Sequence, residues 1–212
     1  IGLTQDKNTL QCTTIKAKHT GIGQHQRFRT KQHQLRYPQL GGRHSVFYTD
    51  TMLSSTMSTR GNKCAQVWTN DIGCCYIMPM QKKSEASKSL INIIKEIGIP
   101  SKIVSDNALE VTDGKFKKIC IEYAITRSTT EPYSPWQNKA ELQIREVKRN
   151  VRSLMKHKKI PVVLWDYCAQ YYALVRRHTA TRCPEGDYRC PIEVVTGHTP
   201  DISELVDYGL YD

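Results

Sequence analysis

Long apolar runs are missing from this sequence. No stretch in its 212 residues approaches the roughly 20 apolar residues that a membrane-spanning helix needs, and no secretory signal is visible. No internal repeat is evident. Apolar residues make up 39% and charged residues 24%, values typical of globular chains. Because apolar runs are short, we expect no membrane partner. The chain begins at Ile1 and stops abruptly at Asp212, so we expect a fragment of a longer protein.

Paired cysteines at metal-binding spacing are also missing. The eight cysteines include no C-x-x-C pair, and with no secretory signal we expect reduced thiols. Five of them lie in apolar stretches, where a free cysteine behaves as a small hydrophobe: Cys64, Cys74, Cys75, Cys120 and Cys168. A zinc site is a weak alternative, because the residues of suitable type in the last segment are irregularly spaced: His178, Cys183, Cys190 and His198.

Acidic residues are scarce in the first part of the chain. Asp6 stands alone against eight Lys and Arg in residues 1–49, a net charge of +7 out of +11 for the whole chain. Residues 1–43 therefore form a basic arm, which includes a possible short helix within residues 1–18. Such an arm suggests a polyanionic partner, most often nucleic acid, although a merely soluble basic protein is the alternative.

Beyond the arm, the hydrophobic pattern predicts an α/β domain. Strands are expected at 45–50, 64–69, 74–78, 102–105 and about 124–129, the first three as an antiparallel meander. A helix capped by Ser84 and ended by Gly98 follows the third strand, and another helix carries Phe116 and Tyr123 on one face. After Pro161 comes a helix whose apolar side is expected to hold Leu164, Cys168, Tyr171, Tyr172 and Val175, and then a loop-rich region with a helical turn near 192–195.

The segment 135–152 predicts a long amphipathic helix with two distinct rows. Its apolar stripe consists of Ala140, Ile144, Val147, Val151 and Leu154. A second row carries one carboxylate among three cations: Glu141, Arg145, Lys148 and Arg152. Ordinary surface pairing explains such a row. The same row of residues also suits a helix that brings a metal ligand to a cleft and binds phosphates beside that ligand.

Three carboxylates fall on three different predicted elements. Asp50 ends the first strand, Asp106 follows the fourth, and Glu141 lies near the start of the long helix. Magnesium prefers such oxygen ligands, and two ions can clamp the attacking and leaving oxygens of a phosphoryl transfer. An aspartate at a strand end also commonly caps a turn. We nevertheless expect the three to converge on a shared metal, and Asp71, Glu110 and Asp113 to lie on the surface.

Several strings on this order of elements resemble those of retroviral and retrotransposon integrases, which have a ribonuclease H-like fold. The spacing of Asp50, Asp106 and Glu141 resembles their Asp, Asp-about-35-Glu pattern. The strings are FYTDTML at 47–53, RGNKCAQV at 60–67, VSDNA at 104–108 and YSPWQNKAE at 133–141. IGLTQDKNTL at 1–10, LWDY at 164–167 and TGHTPDIS at 196–203 resemble copia-like retrotransposon polyproteins. The resemblance covers nearly the whole chain and implies a five-stranded mixed sheet flanked by helices.

The resemblance also implies a function and a division of the chain. It implies a catalytic core at 44–160, a C-terminal helix and loop-rich extension at 161–212, and an enzyme that processes element DNA ends and joins them to host DNA. Asp50, Asp106 and Glu141 would bind Mg²⁺ or Mn²⁺, as two ions, with no small-molecule cofactor. Contacts to DNA would come from Asn107, Gln137, Asn138, Lys139, Arg145, Lys148, Arg149 and Arg152.

The expected partners are element and target DNA and further copies of the chain, and the expected site of action is the nucleus. Ala108 and Val111 stand where the family usually has Gly and Phe. A catalytically inactive, DNA-binding remnant therefore remains an alternative, as does a related nuclease or transposase.

Overall fold

The structure, a computed structural model, describes residues 39–40, 43–106, 114–130, 139–182, 186, 188–203 and 205. Most of the basic arm, including the helix predicted within 1–18, lies outside these residues, as do Glu110 and Asp113. Five strands form one sheet in the order β3-β2-β1-β4-β5. They are β1 Val46–Leu53, β2 Cys64–Thr69, β3 Cys75–Met80, β4 Lys102–Ser105 and β5 Thr126–Thr129.

The sheet is mixed. β1 pairs antiparallel with β2, and β2 pairs antiparallel with β3, as the closely spaced strands predict. The other edge of β1 pairs parallel with β4, and β4 in turn pairs parallel with β5. Helices cover both faces of the sheet, so strands such as β2 are buried throughout. The predicted α/β fold with a five-stranded mixed sheet is confirmed.

Helices α1 Ala86–Ile97 and α2 Gly114–Glu122 cover one face of the sheet. α1 buries Leu90, Ile93, Ile94 and Ile97 at helical spacing, which confirms the predicted apolar face. The rings of Trp68 on β2 and Phe116 on α2 stack with centroids 6.3 Å apart. This contact anchors α2 to the centre of the sheet.

Helices α3 Lys139–His157 and α4 Trp165–His178 cover the opposite face. The apolar stripe predicted for α3 is confirmed except at its end, where Met155 is buried and Leu154 is only partly buried. α4 packs against both α3 and β3. The division of the chain at residues 43 and 160 stays a prediction.

Four local expectations need correction, and they concern β1, the cap of α1, the buried side of α4 and the loop-rich region. β1 continues for three residues beyond Asp50, because Met52 remains part of the core and the pairing with β2 extends to Leu53. Ser84 does not cap α1; it lies inside a 3₁₀ turn, Lys83–Glu85, and the N-cap residue of α1 is Glu85, whose side chain makes no capping hydrogen bond to this helix.

The buried side of α4 is rotated from the predicted one, because small residues allow this helix to lie close to the sheet. It buries Trp165, Asp166, Cys168, Ala169, Ala173 and His178. The loop-rich region also contains a two-stranded ribbon, β6 Thr181–Arg182 and β7 Tyr188–Arg189. The expected helical turn is present as α5, Pro191–Thr196.

The cysteines within the described residues are free and buried, as expected for small hydrophobic side chains. Cys190 donates its thiol to the carbonyl of His178 at 2.8 Å, and Cys183 lies outside the described residues. Nothing in the described part of the chain supports the weak zinc alternative. None of its helices is long and apolar enough to cross a membrane.

Candidate functional site

Asp50 lies on the sheet face that α3 and α4 cover. Side chains alternate along a strand, and Met52, two residues further on, belongs to the core beneath these helices. Asp50 is half-buried, and its Oδ1 accepts the backbone N–H of Thr51 at 2.6 Å. Burial raises the pKa of Asp50, against the lowering effect of that hydrogen bond, and the charges of Asp106 and Glu141 raise it further. Both other carboxylates therefore act electrostatically on Asp50.

Asp106 is placed beside Asp50 by the parallel pairing of β1 and β4. Thr49 is opposite Ser105 in the register of these strands, and the residue that follows each of them is an aspartate. Adjacent parallel strands bring the same end to the same edge of the sheet. Asp50 and Asp106, which are separated by 55 residues in the sequence, thus lie at the same edge of the sheet.

Glu141 lies in the first turn of α3 and is exposed. The neighbouring Ala140 is fully buried, and α3 packs against β1 and β2. The helix therefore begins close to the sheet and presents Glu141 at its border. Its charge also raises the pKa of Asp50, so it lies within electrostatic range of that carboxylate.

The donor chemistry of these three carboxylates suits a hard divalent cation. Burial, and after it the charges of Asp106 and Glu141, raises the pKa of Asp50, and a bound cation would relieve the repulsion that Asp50 experiences from these charges. Within the residues that the structure describes, however, no group of three or more His, Cys, Asp or Glu side chains is arranged to hold a metal ion. The segments 107–113 and 131–138, which flank Asp106 and precede α3, lie outside those residues. Convergence on one shared metal stays a prediction.

A buried polar network holds β1 in place behind Asp50. Gln66 on β2 is fully buried; its Nε2 donates to Thr49 Oγ1 at 2.7 Å, and its Oε1 accepts from Thr51 Oγ1 at 2.9 Å. Thr49 Oγ1 donates in turn to the carbonyl of Val67 at 3.0 Å. The residues on either side of Asp50 are thereby fixed to the neighbouring strand, which limits the positions that the carboxylate can adopt.

The cations predicted to contact DNA lie on α3 at different exposures. Arg145, Arg149 and Arg152 are exposed, and Lys148 is partly buried. Lys139 Nζ lies 5.4 Å from the ring centroid of Tyr48, two residues before Asp50 on β1. The start of α3 is thus in contact with the strand that carries Asp50. Asn107, Gln137 and Asn138 lie outside the described residues.

Two features near the site are absent from the sequence-based prediction. Lys83, in the turn before α1, has a charge that lowers the pKa of Asp50, although burial outweighs it. Gln143 is buried on α3, where the apolar stripe predicts only hydrophobic residues. Asp71, by contrast, is exposed as expected, and its carboxylate contacts His44 Nδ1 at 2.9 Å.

Comparison with solved structures identifies the fold. The HTLV-2 integrase catalytic core domain, in complex with magnesium and in a trimeric form, superposes with a TM-score of 0.55 at 17% identity, over 71% of this chain and 95% of that one. Its dimeric form, also with magnesium, gives 0.52 at 17% identity, over 69% and 94%.

The simian T-cell lymphotropic virus intasome, in complex with the PP2A regulatory subunit B56 gamma, gives a TM-score of 0.58 at 19% identity, over 80% of this chain and 61% of that one. No protein-family model and no curated protein matches the sequence. At these identities the likeness establishes the fold, which is the ribonuclease H-like fold of retroviral integrase cores.

Proposed function

We propose that this chain is an integrase catalytic core of a copia-like retrotransposon, a polynucleotidyl transferase that processes element DNA ends and joins them to host DNA. One observation carries the proposal. The pairing of Thr49 with Ser105 sets Asp50 and Asp106 side by side, and the charges of Asp106 and Glu141 both raise the pKa of Asp50. Asp106, directly after β4, and Glu141 on α3 thus both act on Asp50 of β1, on a fold shared with integrase cores.

In this proposal Asp50, Asp106 and Glu141 hold Mg²⁺ or Mn²⁺, as two ions. The metal, when bound, neutralises charge on a phosphodiester and activates the attacking oxygen. The chain itself contributes position: the Gln66 network fixes β1, and the packing of Ala140 fixes the start of α3. Rigid placement of this kind lowers the entropic cost of an in-line displacement.

The cations of α3 bind the DNA backbone in this proposal. Arg145, Arg149 and Arg152 are exposed on the helix that carries Glu141, and Lys148 lies two turns beyond it. Exposed guanidinium groups suit bidentate contacts to phosphate oxygens. Gln137 and Asn138 would contact the element end, and Asn107 and Lys139 would also bind DNA. The partners are element and target DNA and further copies of the chain, acting in the nucleus.

The test is a strand-transfer assay with the element's own terminal sequence and Mg²⁺. We expect the wild-type chain to nick the DNA end and join it to a target duplex, and Asp50→Asn to lose both activities. Glu122→Gln, an exposed acid at the end of α2, is the matched control and should keep them. A wild-type chain that binds DNA without cutting it would instead be an inactive remnant.

A further inference from the structure

A cavity lies on the other side of the start of α3, away from the three carboxylates. It is open to solvent, has a volume of about 580 Å³ and is lined by the β2–β3 turn, the first half of α3, the end of α4 and β6. Its principal polar lining residues are Lys139, Gln143, Glu146, Arg176 and Arg182. Asp50, Asp106 and Glu141 are not among the lining residues, so the cavity is distinct from the carboxylate site, although Lys139 belongs both to its lining and to the proposed DNA contacts.

Gln143 is the least expected residue of this cavity. Only 6% of it is exposed, and its Nε2 is buried with no hydrogen-bond partner among the described residues. A buried amide without a partner costs the folded state free energy, and native structures rarely keep such a group without a role. A ligand that accepts a hydrogen bond inside the cavity would satisfy it.

Arg176 supplies a second unsatisfied donor to the same cavity. Its Nε is also buried and makes no hydrogen bond within the described residues. The guanidinium lies close to the β2–β3 turn, where a Cβ added to Gly73 would be 3.1 Å from Arg176 Nη2. Gly73 also has a φ of +78°, so this position favours glycine both for the turn and for the approach of the arginine.

The charges around the cavity favour an anion. Lys139, Arg176 and Arg182 are cations, and Asp71 and Glu146 are the acidic residues of the lining. Asp71 already contacts His44 Nδ1 at 2.9 Å, which leaves Glu146 as the main opposing charge. The two groups in need of a partner are both donors, so the ligand must present acceptor oxygens.

We propose that this cavity binds a phosphate group, either free or as a phosphodiester of a nucleic-acid strand, with Gln143 Nε2 and Arg176 Nε as its buried donors. Phosphate offers several strong acceptor oxygens at once, which matches two donors and the surrounding cations. Leu142, an apolar residue 52% exposed at the same cavity, can contact the sugar or base of a bound strand. The proposal requires no DNA cutting and stands or fails apart from the catalytic one.

The first experiment measures thermal unfolding of the full 212-residue chain in inorganic phosphate, with sodium acetate and sodium chloride at matched ionic strength. We expect phosphate alone to raise the unfolding temperature of the wild type. Gln143→Leu keeps the side-chain volume and removes the unsatisfied amide. It should unfold at the same or a higher temperature without phosphate and should not show the phosphate-dependent rise.

Arg176→Gln should weaken phosphate binding at least tenfold, measured by titration calorimetry. Lys117→Gln, which removes an exposed cation of α2 outside the cavity, is the control and should bind as the wild type does. The proposal is overturned by an equal rise in acetate, by an unchanged phosphate response in Gln143→Leu, or by a lower unfolding temperature of that variant without phosphate.

A hexathymidylate probe then distinguishes the two sources of phosphate. If the cavity takes a phosphodiester, Gln143→Leu should bind the probe at least tenfold more weakly than the wild type, and inorganic phosphate should compete with it. If the cavity takes free phosphate, the variant should bind the probe as the wild type does while losing the response to inorganic phosphate. Both outcomes support the site and identify its ligand.

Discussion

Arg60 Nε donates a 2.8 Å hydrogen bond to Oδ2 of Asp166, a carboxylate with no solvent exposure that lies 106 residues away in the sequence. The same oxygen accepts from Asn62 Nδ2 at 2.7 Å. Arg60 also donates to Gln170 Oε1 at 2.8 Å, and its guanidinium lies 3.9 Å from the ring centroid of Tyr167. The β1–β2 loop is thereby fastened to the start of α4.

This network joins two of the strings that resemble integrase sequences, RGNKCAQV at 60–67 and LWDY at 164–167. The Arg60 side chain is 36% exposed, whereas the Asp166 side chain is fully buried, so the network serves chiefly to compensate a buried charge. These residues are therefore structural. They hold α4 against the sheet and so support α3, which packs against both α4 and the strand of Asp50.

Asp166→Ala should destabilise the protein by about 2 to 4 kcal/mol, because it removes a buried acceptor and leaves the donors of Arg60 and Asn62 without it. Chemical denaturation measures the change. Lys88→Ala is the control: Lys88 is 73% exposed and pairs with Glu85 on the surface, so its loss should cost less than about 1 kcal/mol. Equal effects of the two variants would contradict a structural role for the network.

The same network predicts a dependence of stability on pH. The side-chain hydrogen bonds and the charge of Arg60 lower the pKa of Asp166, against the effect of burial. A lowered pKa gives stability that is present above the unfolded-state pKa, about 3.9, and is lost as the pH falls through the folded-state value. The difference in unfolding free energy between the wild type and Asp166→Asn should be constant from pH 7 to 5 and shrink below pH 4. A difference that grows there would refute this assignment.

The strands could be predicted from the sequence where local pattern decides the structure. The bounds of β2 and β4 agree with the prediction, because their apolar runs are flanked by turn residues. β1 was predicted to end at Asp50, although pairing with β2 continues to Leu53. Cross-strand pairing depends on the tertiary fold. The carboxylate of Asp50 interrupts the apolar pattern of β1, so the sequence does not reveal that the strand continues beyond it.

The candidate site shows the same limit. The residue types and spacing of Asp50, Asp106 and Glu141 could be found in the sequence, and the register of β1 and β4 explains why two of them are neighbours. The burial of Gln143 could not be found, because it depends on how α3 meets the β2–β3 turn and α4. The effect of Lys83 on Asp50 could not be predicted either, since only the fold brings its turn within electrostatic range of that carboxylate.

Truncation of the basic arm should weaken binding to DNA of any sequence to the same extent. The cut belongs after residue 38, not 43, because Leu40 is buried and its N–H donates to the carbonyl of Ile99 at 2.8 Å. Removal of the cations before that point should flatten the slope of log K against log[salt], by about 0.9 for each phosphate that the arm neutralises in the full chain. The slope is measured by fluorescence anisotropy, and an unchanged slope would show that the arm does not bind DNA.

Lys148→Ala should weaken DNA binding and reduce the salt slope by about one unit, because the variant neutralises one phosphate fewer. Metal binding should remain, since Lys148 is not one of the proposed ligands. Lys156→Ala, an exposed cation in the last turn of α3, is the matched control and should leave affinity and slope close to wild type. Similar reductions in both variants would mean that general charge, not position on the helix, determines binding.

The most direct measurement of the central claim is Mg²⁺-dependent cleavage of the element's DNA end by Glu141→Gln. This change preserves shape but removes the negative charge that a divalent cation requires. The side chain is exposed, so thermal unfolding should match that of the wild type. The account predicts that cleavage is lost while DNA affinity stays equal or rises slightly, because one negative charge near the phosphates is gone. Wild-type cleavage by Glu141→Gln would contradict the catalytic assignment and leave α3 as a DNA-binding surface.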